Sequence, residues 1–206
     1  MTLAAFIAIY FVHLAAAISP GPAVLLAART SLREGMARGV YLSIGLGLGA
    51  CIWAIAALFG LAVLFQIAPM LLTVLKAVGA AYLGYLAYKM WRHAAEPMEM
   101  TLKNTGKAPR SNLGMVLLGI TTQFANPKPA IFFGAIFVGF VPPHPSALTI
   151  AIILAIIFIN DTGWNVIVSR IFSLERTRKG YFSLKTVIDR TFGGLLALLG
   201  LKIALT

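Results

Sequence analysis

The sequence predicts an all-α membrane protein with six transmembrane helices in two inverted three-helix repeats, helices one and four being broken at proline. Three observations carry this. Hydrophobic residues make up 60% of the 206 positions and charged residues only 11%, where a soluble domain has about a quarter charged. Apolar runs close to the ~20 residues that cross a bilayer recur along the chain. Two of these runs are interrupted at matching places, Ser19-Pro20-Gly21-Pro22-Ala23 and Asn126-Pro127-Lys128-Pro129-Ala130.

The first span runs from Leu3 to Ala28. It carries no Lys or Arg before Arg29, so the positive start of a signal peptide is missing and a retained spanning helix is expected. The second span, Gly39 to Phe65, holds Gly45 and Gly49 at the spacing of close helix packing. Either an internal contact or a dimer contact satisfies it. A nucleotide loop does not, since no Gly-Lys-Ser/Thr follows. The third span, Met70 to Met90, ends in Tyr82, Tyr85, Tyr88 and Trp91, read as interfacial anchors. The fourth is Leu113 to Val141, and the fifth Ser146 to Ser169. The sixth, Thr191 to Leu205, is short; its helix is expected to start earlier, near Leu184, with Lys202 reaching outward on its apolar stem.

The net charge of +11 lies mostly in alternate connections. Arg29, Arg33 and Arg38 fall in the first. Lys89, Arg92, Lys103, Lys107 and Arg110 fall in the third, and Arg170, Arg176, Arg178, Lys179, Lys185 and Arg190 in the fifth. The second and fourth, Gln66-Ile67-Ala68-Pro69 and Pro142-Pro143-His144-Pro145, carry no Lys or Arg. This is the pattern of topology signals, not of a nucleic-acid stripe. It places the odd connections in the cytoplasm and both termini in the periplasm. Residues 96–111 are polar with Pro97, Gly106 and Pro109. They read as a linker between a first repeat, 1–95, and a second, 112–206. A single cysteine, Cys51, allows no internal disulfide or thiolate cluster.

Proline lacks the backbone N–H and clashes with the carbonyl one turn back, so each interrupted run must bend or unwind. Freed backbone groups survive in lipid only against protein or a polar cavity. A pair of interrupted segments in corresponding places points to a transporter's binding site. Around the breaks this selects Ser19, Pro20, Gly21 and Pro22 in the first span and Gln123, Asn126, Pro127, Lys128 and Pro129 in the fourth.

Lys128 and Asp161 are charges well inside predicted spans. Such a charge costs about 2.5–3.5 kcal/mol on insertion scales, so it calls for a partner or a function. The two can form a structural ion pair. Alternatively, Asp161 takes and releases a proton while Lys128 or a helix terminus meets a substrate carboxylate. His13 and Asn160 are secondary candidates. Thr121, Thr122 and Asn165 read as ordinary interhelical hydrogen-bonding residues.

The chain resembles the LysE/RhtB-type amino-acid exporters of bacteria over essentially its whole length. The resemblance rests on Ser19-Pro20-Gly21-Pro22, Gly35, Gly45 and Gly49. It continues with the run Leu75-Lys76-Ala77-Val78-Gly79-Ala80-Ala81-Tyr82-Leu83-Gly84, Asn126-Pro127-Lys128, Asp161 and Phe192-Gly193. It implies export of amino acids or their derivatives across the inner membrane, driven by protons, and is compatible with homo-oligomers; no cofactor or metal is expected. It does not name a substrate. Two other classes fit less well. A metal-ion exporter needs clustered ligands, but His13, Cys51, His93 and His144 are scattered. An intramembrane enzyme needs a nucleophile with its base, but Ser19 has no Lys or His one turn away and no His-Glu-x-x-His occurs.

Overall fold

A computed structural model describes residues 1–19, 21–67, 69–96 and 111–205. Pro20 and nearly all of the predicted linker 96–111 lie outside the described residues. Among those described there are eight helices and no strand. They are α1 (Leu3–Ile18), α2 (Pro22–Glu34), α3 (Met36–Ile67), α4 (Pro69–Arg92), α5 (Asn112–Phe124), α6 (Pro127–Phe140), α7 (Ala147–Ser173) and α8 (Glu175–Leu205). Two helical stretches are each long and apolar enough to cross a membrane, Met36–Gly60 and Ala147–Ser173. The pair α1 and α2, bent by 59°, makes a third if taken as one span.

Local chemistry sets the helix ends. Thr2, Ser111 and Ser146 each accept from a backbone N–H three residues on, at 3.1–3.3 Å, which satisfies one orphan amide of a helix start. Gly35, with φ of 85°, closes α2 in a backbone conformation that side-chain-bearing residues avoid. Asn126 caps α6, and Pro127 occupies its first position, where a missing N–H costs nothing.

α3 is the spine. It packs on α2, α5, α6 and α7, while α4 packs on α6 and α8. The spine approaches α5 backbone to backbone. A Cβ added to Gly45 would run into the Val116 carbonyl, and one added to Gly119 would run into the Leu42 carbonyl. Gly49 sits against Gln123 and Ile120 in the same seam. The glycine spacing in the second predicted span is therefore accounted for by an internal contact. Two apolar clusters flank the spine. Ile9, Leu83, Phe132, Phe137, Ile157 and Leu199 belong to the first, and Val24, Leu42, Met115, Val168 and Phe172 to the second.

α8 departs from the sequence expectation. It begins at Glu175, so residues read as a charged connection form its first half. That half buries Tyr181, Lys185 and Asp189. Lys185 Nζ donates to Asp189 at 2.7 Å and to the carbonyls of His93 and Ala94 at 2.9 and 3.2 Å. A cation at the end of α4 meets the negative pole of that helix. Lys185 is thus a packed helix-terminus ligand, where the sequence reading made it a topology charge. Trp91, read as an interfacial anchor, remains exposed but donates its indole N–H to Arg190 O at 2.9 Å.

Candidate functional site

The start of α6 and the end of α1 meet. Helix geometry leaves the last carbonyls of α1 without amide partners. The carbonyl of Ala16 would ordinarily accept from residue 20, which is proline and has no N–H. Lys128 supplies the missing donor. Its Nζ lies 2.5 Å from Ala16 O and 3.0 Å from Ser19 O, at the pole of α1 that favours a cation. Asn126 Oδ1 accepts from the Lys128 backbone N–H at 3.1 Å, fixing the start of α6 and with it the root of the lysine. Gly21 is the extended residue before α2 and gives that helix no side-chain cap.

Asp161 of α7 is buried on the other wall. His13 Nε2 lies 3.2 Å from Asp161 Oδ2, and Gln123 Nε2 donates to Oδ1 at 3.4 Å. His13 stacks on Phe133, the ring centroids being 5.5 Å apart. One turn along α7, Asn165 Nδ2 donates to the Asp161 carbonyl at 2.8 Å. Carboxylates and carbonyls only accept, so the amide nitrogens must face Asp161 and the amide oxygens are left over. Among the described residues, Gln123 Oε1 and Asn165 Oδ1 are buried without a protein partner, as is His13 Nδ1. The wall therefore offers spare acceptors to a ligand that brings N–H donors.

A cavity of about 30 Å³ lies between these walls, room for roughly one water molecule. His13, Ser19, Gly21, Gln123, Asn126, Lys128, Pro129 and Asp161, all singled out in the sequence, line it. Pro22 opens α2 beside it, and Pro127 opens α6. Asn160 is not in the lining. Its Nδ2 donates to Tyr10 O at 3.0 Å and ties α7 to α1. The structural ion pair of Lys128 with Asp161, one of the two alternatives read from the sequence, is absent. The ammonium goes to the α1 carbonyls, while the carboxylate accepts from Gln123 and lies against His13.

Asn165, Phe132 and Phe133 also line the cavity, and sequence reasoning gave them no role in the site. Asn165 lies one helical turn after Asp161, and the two phenylalanines one turn after Lys128. That spacing was the available signal.

A model of the family described as LysE type translocator matches residues 14–206. The chain belongs to the LysE family of translocators. As a LysE-family member it is a multi-pass membrane transporter, and its apolar helices agree with that. Two similar proteins are the threonine efflux proteins of Escherichia coli K12 and Salmonella typhi. They are 29% and 28% identical over 205 and 201 residues, with 98% of each chain covered. The homoserine/homoserine lactone efflux protein of Salmonella typhimurium is 30% identical over 193 residues, 91% of this chain and 89% of that one. No solved structure matches this LysE-family chain.

Proposed function

We propose that this LysE-family transporter exports amino acids of the size and polarity of threonine or homoserine across the bacterial inner membrane, coupled to proton entry. The observation that carries the reading is the cavity between α1, α5, α6 and α7. It sets a lysine ammonium and a helix start on one side of a buried carboxylate with spare amide acceptors on the other. A zwitterion needs both signs, and broken helix ends supply them at low cost. The substrate site is formed by Ser19, Pro20, Gly21 and Pro22 with Gln123, Asn126, Pro127, Lys128 and Pro129. The substrate carboxylate faces Lys128 and the start of α2. Asp161, in contact with His13, carries the proton.

In this reading α1 with α2, then α3 and α4, form the first repeat, 1–95. α5 with α6, then α7 and α8, form the inverted second repeat, 112–206, and 96–111 is a cytoplasmic linker. Both termini are periplasmic. At 1.5 Å per residue α8 exceeds the ~30 Å hydrocarbon core, so its charged first half stands on the cytoplasmic side.

The test is efflux from proteoliposomes preloaded with labelled amino acids, with and without an imposed pH gradient. Gradient-dependent uphill export of threonine or homoserine is expected. Absence of any amino-acid flux from protein that is correctly inserted would overturn the reading.

A further inference from the structure

The ammonium of Lys128 occupies a pair of α1 carbonyls that would equally accept from a substrate ammonium. It bonds two carbonyls at the broken end of α1, one of them deprived of its usual donor by Pro20. With the side chain there, the space between the walls is small, about 30 Å³, so an amino group that is to reach the same carbonyls must displace the lysine. We propose that Lys128 is a tethered stand-in for the substrate. It holds the α1 carbonyls in the empty carrier and is displaced by the incoming amino group.

The inference rests on the amino-acid reading and says how the site selects within it. Two ammonium groups cannot share the same two carbonyls. Once displaced, Lys128 is a half-buried cation that has lost its acceptors, which is costly unless an anion meets it. An amino acid brings that anion as its carboxylate. Its ammonium has three N–H donors, two for the carbonyls and one for the spare amide oxygen of Gln123 or Asn165. The exchange keeps every buried charge paired. An amine without a carboxylate replaces one cation by another and strands the lysine, so the site rejects it.

The experiment is ligand binding to purified protein, with threonine and with isopropanolamine, which is threonine without its carboxylate. The native protein should prefer threonine. Lys128→Met frees the carbonyls and removes the carboxylate's partner, so isopropanolamine should bind at least about tenfold more tightly and threonine about tenfold more weakly, the worth of one charge-assisted contact. An unchanged ratio of the two affinities would overturn the stand-in role. If the native protein binds no amino acid, the exporter reading fails. The gain of amine binding in Lys128→Met still decides whether the lysine occupies the amine's place. A structure of the native protein with threonine bound gives a second measurement that needs no variant. Lys128 Nζ should leave both carbonyls, and its remaining on them with threonine in the cavity would refute the exchange.

Discussion

His13 on α1 and Asp161 on α7 form one buried pair, with Nε2 3.2 Å from Oδ2. The carboxylate faces the cavity and the imidazole stacks on Phe133 behind it. A histidine and a carboxylate in contact can share and hand on a proton. Asp161→Asn keeps the size and removes the titration. Gradient-driven export should fall to background while exchange of labelled for unlabelled substrate persists. Comparing the two fluxes in the same proteoliposomes checks this, and full pH-driven export by the variant would return Asp161 to a structural role.

Asn126 fixes where α6 begins through its hydrogen bond to the Lys128 backbone N–H. Asn126→Ala removes the cap and should lower stability by about 1 kcal/mol. It should also weaken substrate affinity, because the root of Lys128 loosens. Asn126→Ser restores a capping oxygen and should recover most of the stability. Thermal unfolding in detergent, read beside the KM for export, measures both.

Gly45→Ala and Gly119→Ala each drive a methyl group into backbone carbonyl atoms of the facing helix. Backbone cannot step aside as a side chain can, so each change should cost about 1–3 kcal/mol. Gly60→Ala is the control. Nothing lies within 4 Å of its added Cβ, so it should be neutral or slightly stabilising in mid-helix. Equal melting temperatures for all three variants would contradict the seam described for α3 and α5.

Lys185 and Asp189 form a buried pair one turn apart on α8, at 2.7 Å. Asp189→Leu leaves the ammonium with the His93 and Ala94 carbonyls alone and should destabilise by about 3–5 kcal/mol. Adding Lys185→Met should give back part of that loss. A double-mutant cycle in denaturant measures the coupling, and strict additivity of the two changes would show that the pair contributes nothing.

The membrane class and the family were legible because they rest on local signals: long apolar runs, motif order and charge alternating between connections. The contacts of the site were not. Lys128 and Asp161 look like natural partners when only their depths along two spans are known. Which acceptor the lysine reaches depends on where the end of α1 lies in space, and Ala16 carries no sequence mark of its free carbonyl beyond the proline four residues on. His13 appeared as a lone polar residue because its partner is on a distant helix. That α8 begins at Glu175, ahead of the expected Leu184, was missed for another reason. Its buried face is made by Tyr181, Lys185 and Asp189, polar residues that hydrophobic periodicity counts as solvent-facing. The glycine spacing of α3 was visible, but its meaning waited on the position of Val116.

In the seam between α3 and α5, the atoms nearest to Gly45 and Gly119 are backbone of the facing helix. Soft contacts let one helix shift while rotamers adjust, but main chain resting on main chain acts as a rigid coupling. Gln123 lies in the same seam against Gly49 and also reaches Asp161. Any tilt of the spine therefore moves Gln123 directly, so a movement that rocks α3 also retunes the hydrogen bonding of the carboxylate.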